Sequence, residues 1–199
     1  MKSLVAIDIQ REYTTAGREF HIQSIGASLK NAYRMLQFAR RAGWPIMHVQ
    51  HLQDGSMFNP ASDASDFVDG FTPEPGEAHA TKGNYSCFSS PAFSQFVQEH
   101  AAHEFVVIGY GTSMCCLSTI VDGYHRGYRF ALVEDACAAR AVRAHSEAAM
   151  HQYATLILER FARITRTAQE APPSGPTGRL RHQQADPQQP QLPAQGRGP

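Results

Sequence analysis

At 199 residues and 42% hydrophobic composition, the chain is the size of one globular domain with room for a tail. Its 18 basic and 18 acidic side chains cancel, which leaves no basic footprint for nucleic acid. No apolar run is long enough to span a membrane, and the four cysteines at 87, 115, 116 and 137 make no zinc spacing.

The N-terminal residues lead straight into Ser3-Leu4-Val5-Ala6-Ile7-Asp8, an apolar strand ending in an acid. No secretory leader is therefore expected, and the simplest expectation is a cytoplasmic protein with reduced thiols. A strand apolar on both faces belongs in the middle of a parallel sheet. The segment 10–23 is polar and reads as irregular, with a turn at Thr14-Thr15-Ala16-Gly17. From Ser24 to Ala42, Ile25, Leu29, Ala32, Tyr33, Leu36 and Ala39 recur at helical spacing, and Gly43 stops the helix. Pro45 to His51 is a second strand, which completes a β-α-β unit with parallel strands.

Residues 52–80 are rich in Asp, Ser, Gly, Pro and Phe without periodicity, a loop long enough to be functional. His79-Ala80-Thr81-Lys82 is a short strand ending at a lysine. Pro91 suits a first helical position, and Phe93, Phe96 and Val97 give that helix its buried face.

Phe105 to Ile108 is the next strand. Gly109-Tyr110-Gly111 breaks it, and Thr112 or Ser113 is expected to cap the following helix. Cys115 then falls in the first helical turn. Unpaired N–H groups and the helix dipole there predict a lowered thiol pKa and partial thiolate at neutral pH. That helix ends at Gly127. A strand over 128–133 follows, ending in Glu134-Asp135. A helix over His145–Phe161 carries Tyr153, Ala154, Ile157, Leu158 and Phe161 as its apolar face, and 162–165 can form a last strand. From about Pro172 the composition turns to Pro, Gln and Gly, too poor in apolar residues to offset ordering entropy. The division is a domain over 1–169 and a disordered tail over 170–199.

The alternation of β and α predicts an α/β fold: an open, doubly wound, six-stranded, mostly parallel sheet with helices on both faces. Ligands bind such sheets outside the carboxyl ends of the strands. Asp8 ends the first strand, Lys82 the third, and Cys115 follows the fourth, so all three meet one edge. Together they make a nucleophile, its base, and a cation that stabilises the thiolate.

At these residues the chain resembles a known family. Asp8-Ile9-Gln10, Lys82-Gly83-Asn84-Tyr85-Ser86-Cys87-Phe88 and Gly109-Tyr110-Gly111-Thr112-Ser113-Met114-Cys115 look like the three signature segments of the isochorismatase-like cysteine hydrolases, the family that includes nicotinamidases and N-carbamoylsarcosine amidase. Gly127 and Asp135-Ala136-Cys137-Ala138 resemble its trailing motif. The resemblance covers residues 3 to about 168. It implies a catalytic triad of Asp8, Lys82 and Cys115, a cis peptide at Tyr110–Gly111, and an oxyanion hole from the N–H groups of Gly111 and Cys115. It implies an amidase-type hydrolase acting on C–N bonds through a thioester. Members that cleave isochorismate, a vinyl ether, lack the nucleophilic cysteine, and Cys115 argues against that alternative. A non-catalytic binding protein on the same fold is the second alternative. Metal-binding members carry Asp-x-His after the second strand; this chain has Gln50-His51-Leu52, so no metal or other cofactor is expected. His48 and His51 read as strand-end and pocket residues, and Cys116 as core. The substrate pocket is expected from Gln10, Tyr85, Phe88, Tyr110 and Met114 with the 52–80 loop. The expected partners are a small-molecule amide and further copies of the chain in a dimer or tetramer, with neither nucleic acid nor membrane.

Overall fold

A computed structural model describes residues 1–172. In chain order the elements are β1 (Lys2–Ile7), α1 (Arg11–Thr14), α2 (Gly26–Arg41), β2 (Ile46–His51), β3 (Ala78–Lys82), α3 (Pro91–Glu99), β4 (Glu104–Tyr110), α4 (Leu117–His125), β5 (Arg129–Ala138), α5 (Glu147–Leu158), β6 (Arg163–Thr165) and α6 (Thr167–Glu170). The six strands form one sheet in the order β3-β2-β1-β4-β5-β6, and every neighbouring pair is parallel. The chain winds outward from β1 in one direction and from β4 in the other, so the switch point lies between β1 and β4.

Side chains alternate across each strand and feed two cores. Leu4 and Ala6 of β1 and Val106, Ile108 and Tyr110 of β4 meet Ala32, Met35, Leu36 and Ala39 of α2 on one face. Val5, Ile7, Phe105 and Val107 meet Phe93, Phe96 and Val97 of α3, Ile120 of α4 and Leu158 of α5 on the other. Burying each large side chain contributes roughly 1.5–3 kcal/mol, so the central strands hold the molecule together.

Two glycines permit this packing. Gly109 has φ +119°, and a Cβ there would stand 2.0 Å from the Ile7 carbonyl oxygen. Gly123 in α4 lies against Phe130, where a Cβ would approach the ring to 2.3 Å.

Several elements depart from the sequence reading. The segment after Gln10 is not wholly irregular: Arg11–Thr14 makes one helical turn that buries Glu12 and Tyr13, with Arg18 bonding Glu12 through two nitrogens. β5 runs on through Glu134 and Asp135 to Ala138. A register shift between Val107 and Gly109 lets it pair again as Gly109 with Cys137 and Tyr110 with Ala138. α5 begins later, because the Ser146 hydroxyl accepts the Ala149 N–H and caps it. Its inward face is Ala154, Thr155 and Leu158; Tyr153 and Ile157 are 54% and 51% exposed. The folded part also extends past 169. Glu170 pairs with Lys2 and Arg163, and Ala171 is buried with its carbonyl accepting from Arg34. Residues 170–172 of the expected 170–199 tail are thus described, and 173–199 lie outside the described residues. No helix among the described residues is long and apolar enough to cross a membrane.

Candidate active site

The site sits at the carboxyl edge of the sheet, where β1, β3 and β4 deliver one polar side chain each. Asp8 is the first residue after β1. Its backbone lies at φ +52°, a left-handed position that Asp tolerates better than most residues. Its main chain is held by bonds from its N–H to Val49 and from the Gln10 N–H to its carbonyl. Lys82 ends β3, two strand spacings away, or about 10 Å. Its long side chain runs under β2 to reach Asp8 Oδ2 at 2.8 Å. Both side chains are buried.

Cys115 arrives differently from the sequence expectation. Between β4 and α4 the chain makes a wide turn over Thr112–Cys116, of the π-helical type. The Gly111 carbonyl accepts from the N–H groups of Met114 and Cys116, passing over Cys115. Gly111 occupies the cap position, and neither Thr112 nor Ser113 caps through its hydroxyl. Thr112 is buried, and its Oγ1 lies 2.8 Å from His151 Nδ1 of α5 instead. The Tyr110–Gly111 peptide is cis.

The three expected residues meet. Lys82 Nζ lies 2.8 Å from Asp8, 3.3 Å from Cys115 Sγ, and 2.9 Å from His51 Nδ1. Among the described residues Asp8 Oδ1 has no hydrogen-bond partner, so one oxygen of this buried carboxylate remains to take a proton.

The electrostatics correct the expectation of a resting thiolate. Burial, then the charge of Asp8, push the Cys115 thiol well up, and Lys82 only partly offsets them. Burial also works against the Lys82 ammonium, but Asp8 and Cys115 outweigh it and hold the lysine protonated. One buried cation balances one anion. The Cys115 thiol therefore holds its proton beside Asp8, and passing it between sulfur and oxygen changes no net charge. The other thiols are structural: burial pushes Cys87 up to about 12, and Cys116 is raised by contact with the Cys137 thiol and by burial.

A cavity of about 290 Å³ opens onto Cys115. Tyr13, Phe20, Phe58 and Tyr85 supply aromatic walls, Met57 and Met114 flexible ones, and His51, Gln53 and Asn84 the polar groups. Tyr85 and Met114 were expected there. Gln10, Phe88 and Tyr110 were expected and do not line it. Gln10 is buried beneath, where its amide bonds both main-chain groups of His51 and the Ser65 carbonyl. Phe88 packs against Phe93 and Tyr128 in the core. Tyr110 alternates to the opposite face of the sheet, with its hydroxyl 3.2 Å from Ser28. The missed walls are Tyr13 of α1, Phe20 of its following turn, and Gly83 and Asn84 after β3, where no periodicity marks direction. The predicted contribution of that loop is present at Gln53, Met57 and Phe58.

A model of the isochorismatase domain matches residues 2–169. The chain belongs to the isochorismatase family. Among its relatives is the uncharacterised isochorismatase family protein YddQ of Bacillus subtilis, 30% identical over 68% of this chain and 77% of that protein. The secreted isochorismatase effector Isc1 of Verticillium dahliae is 30% identical over 70% of this chain and 73% of its own. The ureidoacrylate amidohydrolase RutB of Pseudomonas syringae is 24% identical over 67% and 69%. The crystal structure of an isochorismatase from Pseudomonas putida superposes with a TM-score of 0.79 at 30% identity, covering 84% of this chain and 89% of that one.

The metal site of some family members does not fit this chain. Gln50 stands in the Asp-x-His segment and donates to the Ser65 carbonyl. Asp8, His51 and Cys115 do bring three ligand-type atoms within 4.8 Å of one another. The Lys82 ammonium already bonds all three, and a second cation there would meet its charge.

Proposed function

We propose that this member of the family hydrolyses the C–N bond of a small amide or carbamoyl compound through a thioester on Cys115. The observation that carries the reading is the Lys82 ammonium bonded to both the buried Asp8 carboxylate and the Cys115 sulfur, at the wall of an aromatic-lined cavity. A relative named as an amidohydrolase supports it.

In the first step Asp8 takes the Cys115 proton while sulfur attacks the substrate carbonyl carbon. Negative charge moves to the carbonyl oxygen, and Lys82 stays protonated beside the carboxylic acid that forms. The N–H groups of Gly111 and Cys115 are the proposed donors to that oxygen; the wide turn that passes over Cys115 supports this role for its N–H. The C–N bond then breaks, and Asp8 returns its proton to the leaving nitrogen, so ammonia or an amine departs neutral. In the second half Asp8 takes a proton from water, hydroxide attacks the thioester, and the C–S bond breaks to release the acid. The proton returns to sulfur, and the resting state is restored.

The cavity accepts a compact substrate, and its aromatic walls favour a flat one. A screen of small amides and carbamoyl compounds for released ammonia tests the reading. Turnover that disappears in Cys115→Ala supports it. Cleavage of a vinyl ether in place of every amide would overturn it.

A further inference from the structure

A lysine ammonium carries three N–H donors and no acceptor. At Lys82 each donor meets its own partner: Asp8 Oδ2, Cys115 Sγ and His51 Nδ1. Asp8 and Cys115 exchange the proton in the proposed reaction. His51 has no step in it, yet it takes the remaining donor at 2.9 Å.

The two ring contacts fix one state of His51. Because an ammonium only donates, Nδ1 carries a lone pair. Nε2 lies 3.0 Å from Gln53 Oε1, an acceptor, so Nε2 carries the proton. The ring is neutral; burial first, and then the charge of Lys82, favour that form. Its only lone pair is engaged, so it offers no site for taking a proton from substrate or water. The main chain of His51 is clamped as well. Gln10 Oε1 accepts its N–H at 2.8 Å, and Gln10 Nε2 donates to its carbonyl at 3.0 Å. Phe58 packs against the ring with centroids 4.8 Å apart.

We propose that His51 is a positioning residue: its Nδ1 holds the third Lys82 N–H, so that the other two stay on the Asp8 carboxylate and the Cys115 sulfur. This rests on the reading of Asp8, Lys82 and Cys115 given above. A lysine stem is flexible, and a buried ammonium with an unsatisfied donor turns to find another acceptor. The sulfur contact is the longest of the three and the first to be lost. The charged and titratable groups facing the ring are Lys82, Asp8 and Cys115, with the amide of Gln53 at its far nitrogen.

The test uses the full chain, iodoacetamide as probe, and the rate of Cys115 carbamidomethylation across pH as readout. His51→Leu removes the acceptor. His51→Asn restores an oxygen the same number of bonds from Cα as Nδ1, whereas His51→Gln places its oxygen one bond further out. The expected result is a roughly tenfold slower labelling at neutral pH and an upward shift of its pH profile in His51→Leu and His51→Gln, with His51→Asn close to wild type. Should His51→Leu fail to fold, the Asn and Gln variants, equal in polarity, carry the comparison. Equal rates and profiles in wild type, Asn and Gln variants would overturn the proposal while leaving Cys115 as nucleophile. A wild-type protein whose Cys115 never labels would overturn both.

Discussion

At the residue scale, the proposed reaction turns on a proton passed between Asp8 and Cys115. Asp8 contributes an acceptor for the thiol proton and a charge that opposes the thiolate. Its removal therefore has two effects of opposite sign. In Asp8→Asn the negative neighbour is gone, so the Cys115 thiol ionises at lower pH than in wild type, still assisted by Lys82. Amide turnover nonetheless falls by about a hundredfold or more, because no acid remains for the leaving nitrogen. Ultraviolet titration of the thiolate and ammonia release measure the two effects separately. A thiol that titrates higher in Asp8→Asn would contradict the charge argument.

The three central residues were legible in the sequence because each ends a strand or starts a helix, and strand ends can be read from apolar runs. The state of the thiol was not. A helix start suggests a lowered pKa, while burial and an adjacent carboxylate, which only the fold supplies, reverse it. His51 was legible as a pocket residue; its partner Lys82, 31 positions on, was not.

At the element scale, β3 is one of the sheet's two edge strands, and its start is held by one carboxylate. Glu77 bonds Arg40 of α2 and His48 of β2 and accepts the Glu74 N–H. Burial works against its charge, but these bonds outweigh it and hold the carboxyl down at about 2, below the ordinary 4.5. A depressed folded-state pKa stabilises above the unfolded value and loses that contribution as pH falls through the folded one. Glu77→Gln is therefore expected to melt several degrees below wild type at pH 7, with the gap closing as pH falls from about 4.5 towards 2. A gap that is constant with pH in thermal melts would assign the effect to shape alone. The limits of sequence reading are also clearest among the elements. Apolar runs marked the strands, but not which face Leu4 or Val5 would take, since both faces are buried; periodicity marked the helices. It failed on α5, where Tyr153 and Ile157 form an i, i+4 stripe as regular as that of Ala154 and Leu158, and only packing chooses between them. It failed at the turn before Cys115, because a hydroxyl at Thr112 suits a cap equally well as a bond to a distant histidine.

Over the whole molecule, parallel order in the sheet is what collects the site, since every strand presents its carboxyl end to the same edge. That was visible from the β-α alternation. The end of the folded part lies where composition changes, at about Pro172, beyond the boundary expected at 169. Ala171 sits in the α2-side core, and Glu170 ties Lys2 of β1 to Arg163 of β6. Truncation after Pro172 is expected to retain this folded core, whereas truncation after Ala168 lowers the melting temperature by several degrees. Equal melting temperatures for the two would show that the Glu170 pairs and the Ala171 contact contribute nothing.

The proposed reaction requires that one atom, the Cys115 sulfur, be acylated. Cys115 and Cys116 are adjacent in the wide turn, and successive residues of any helical turn point in different directions, so one faces the cavity and the other the core. Cys115 lines it, and Cys116 is buried against Cys137. The decisive measurement is peptide mass spectrometry of the protein quenched during turnover of an amide found by the ammonia screen. The expected result is an acyl adduct on Cys115 that hydroxylamine removes, absent in Cys115→Ala and retained in Cys116→Val. An adduct on Cys116, or undiminished turnover in Cys115→Ala, would contradict it.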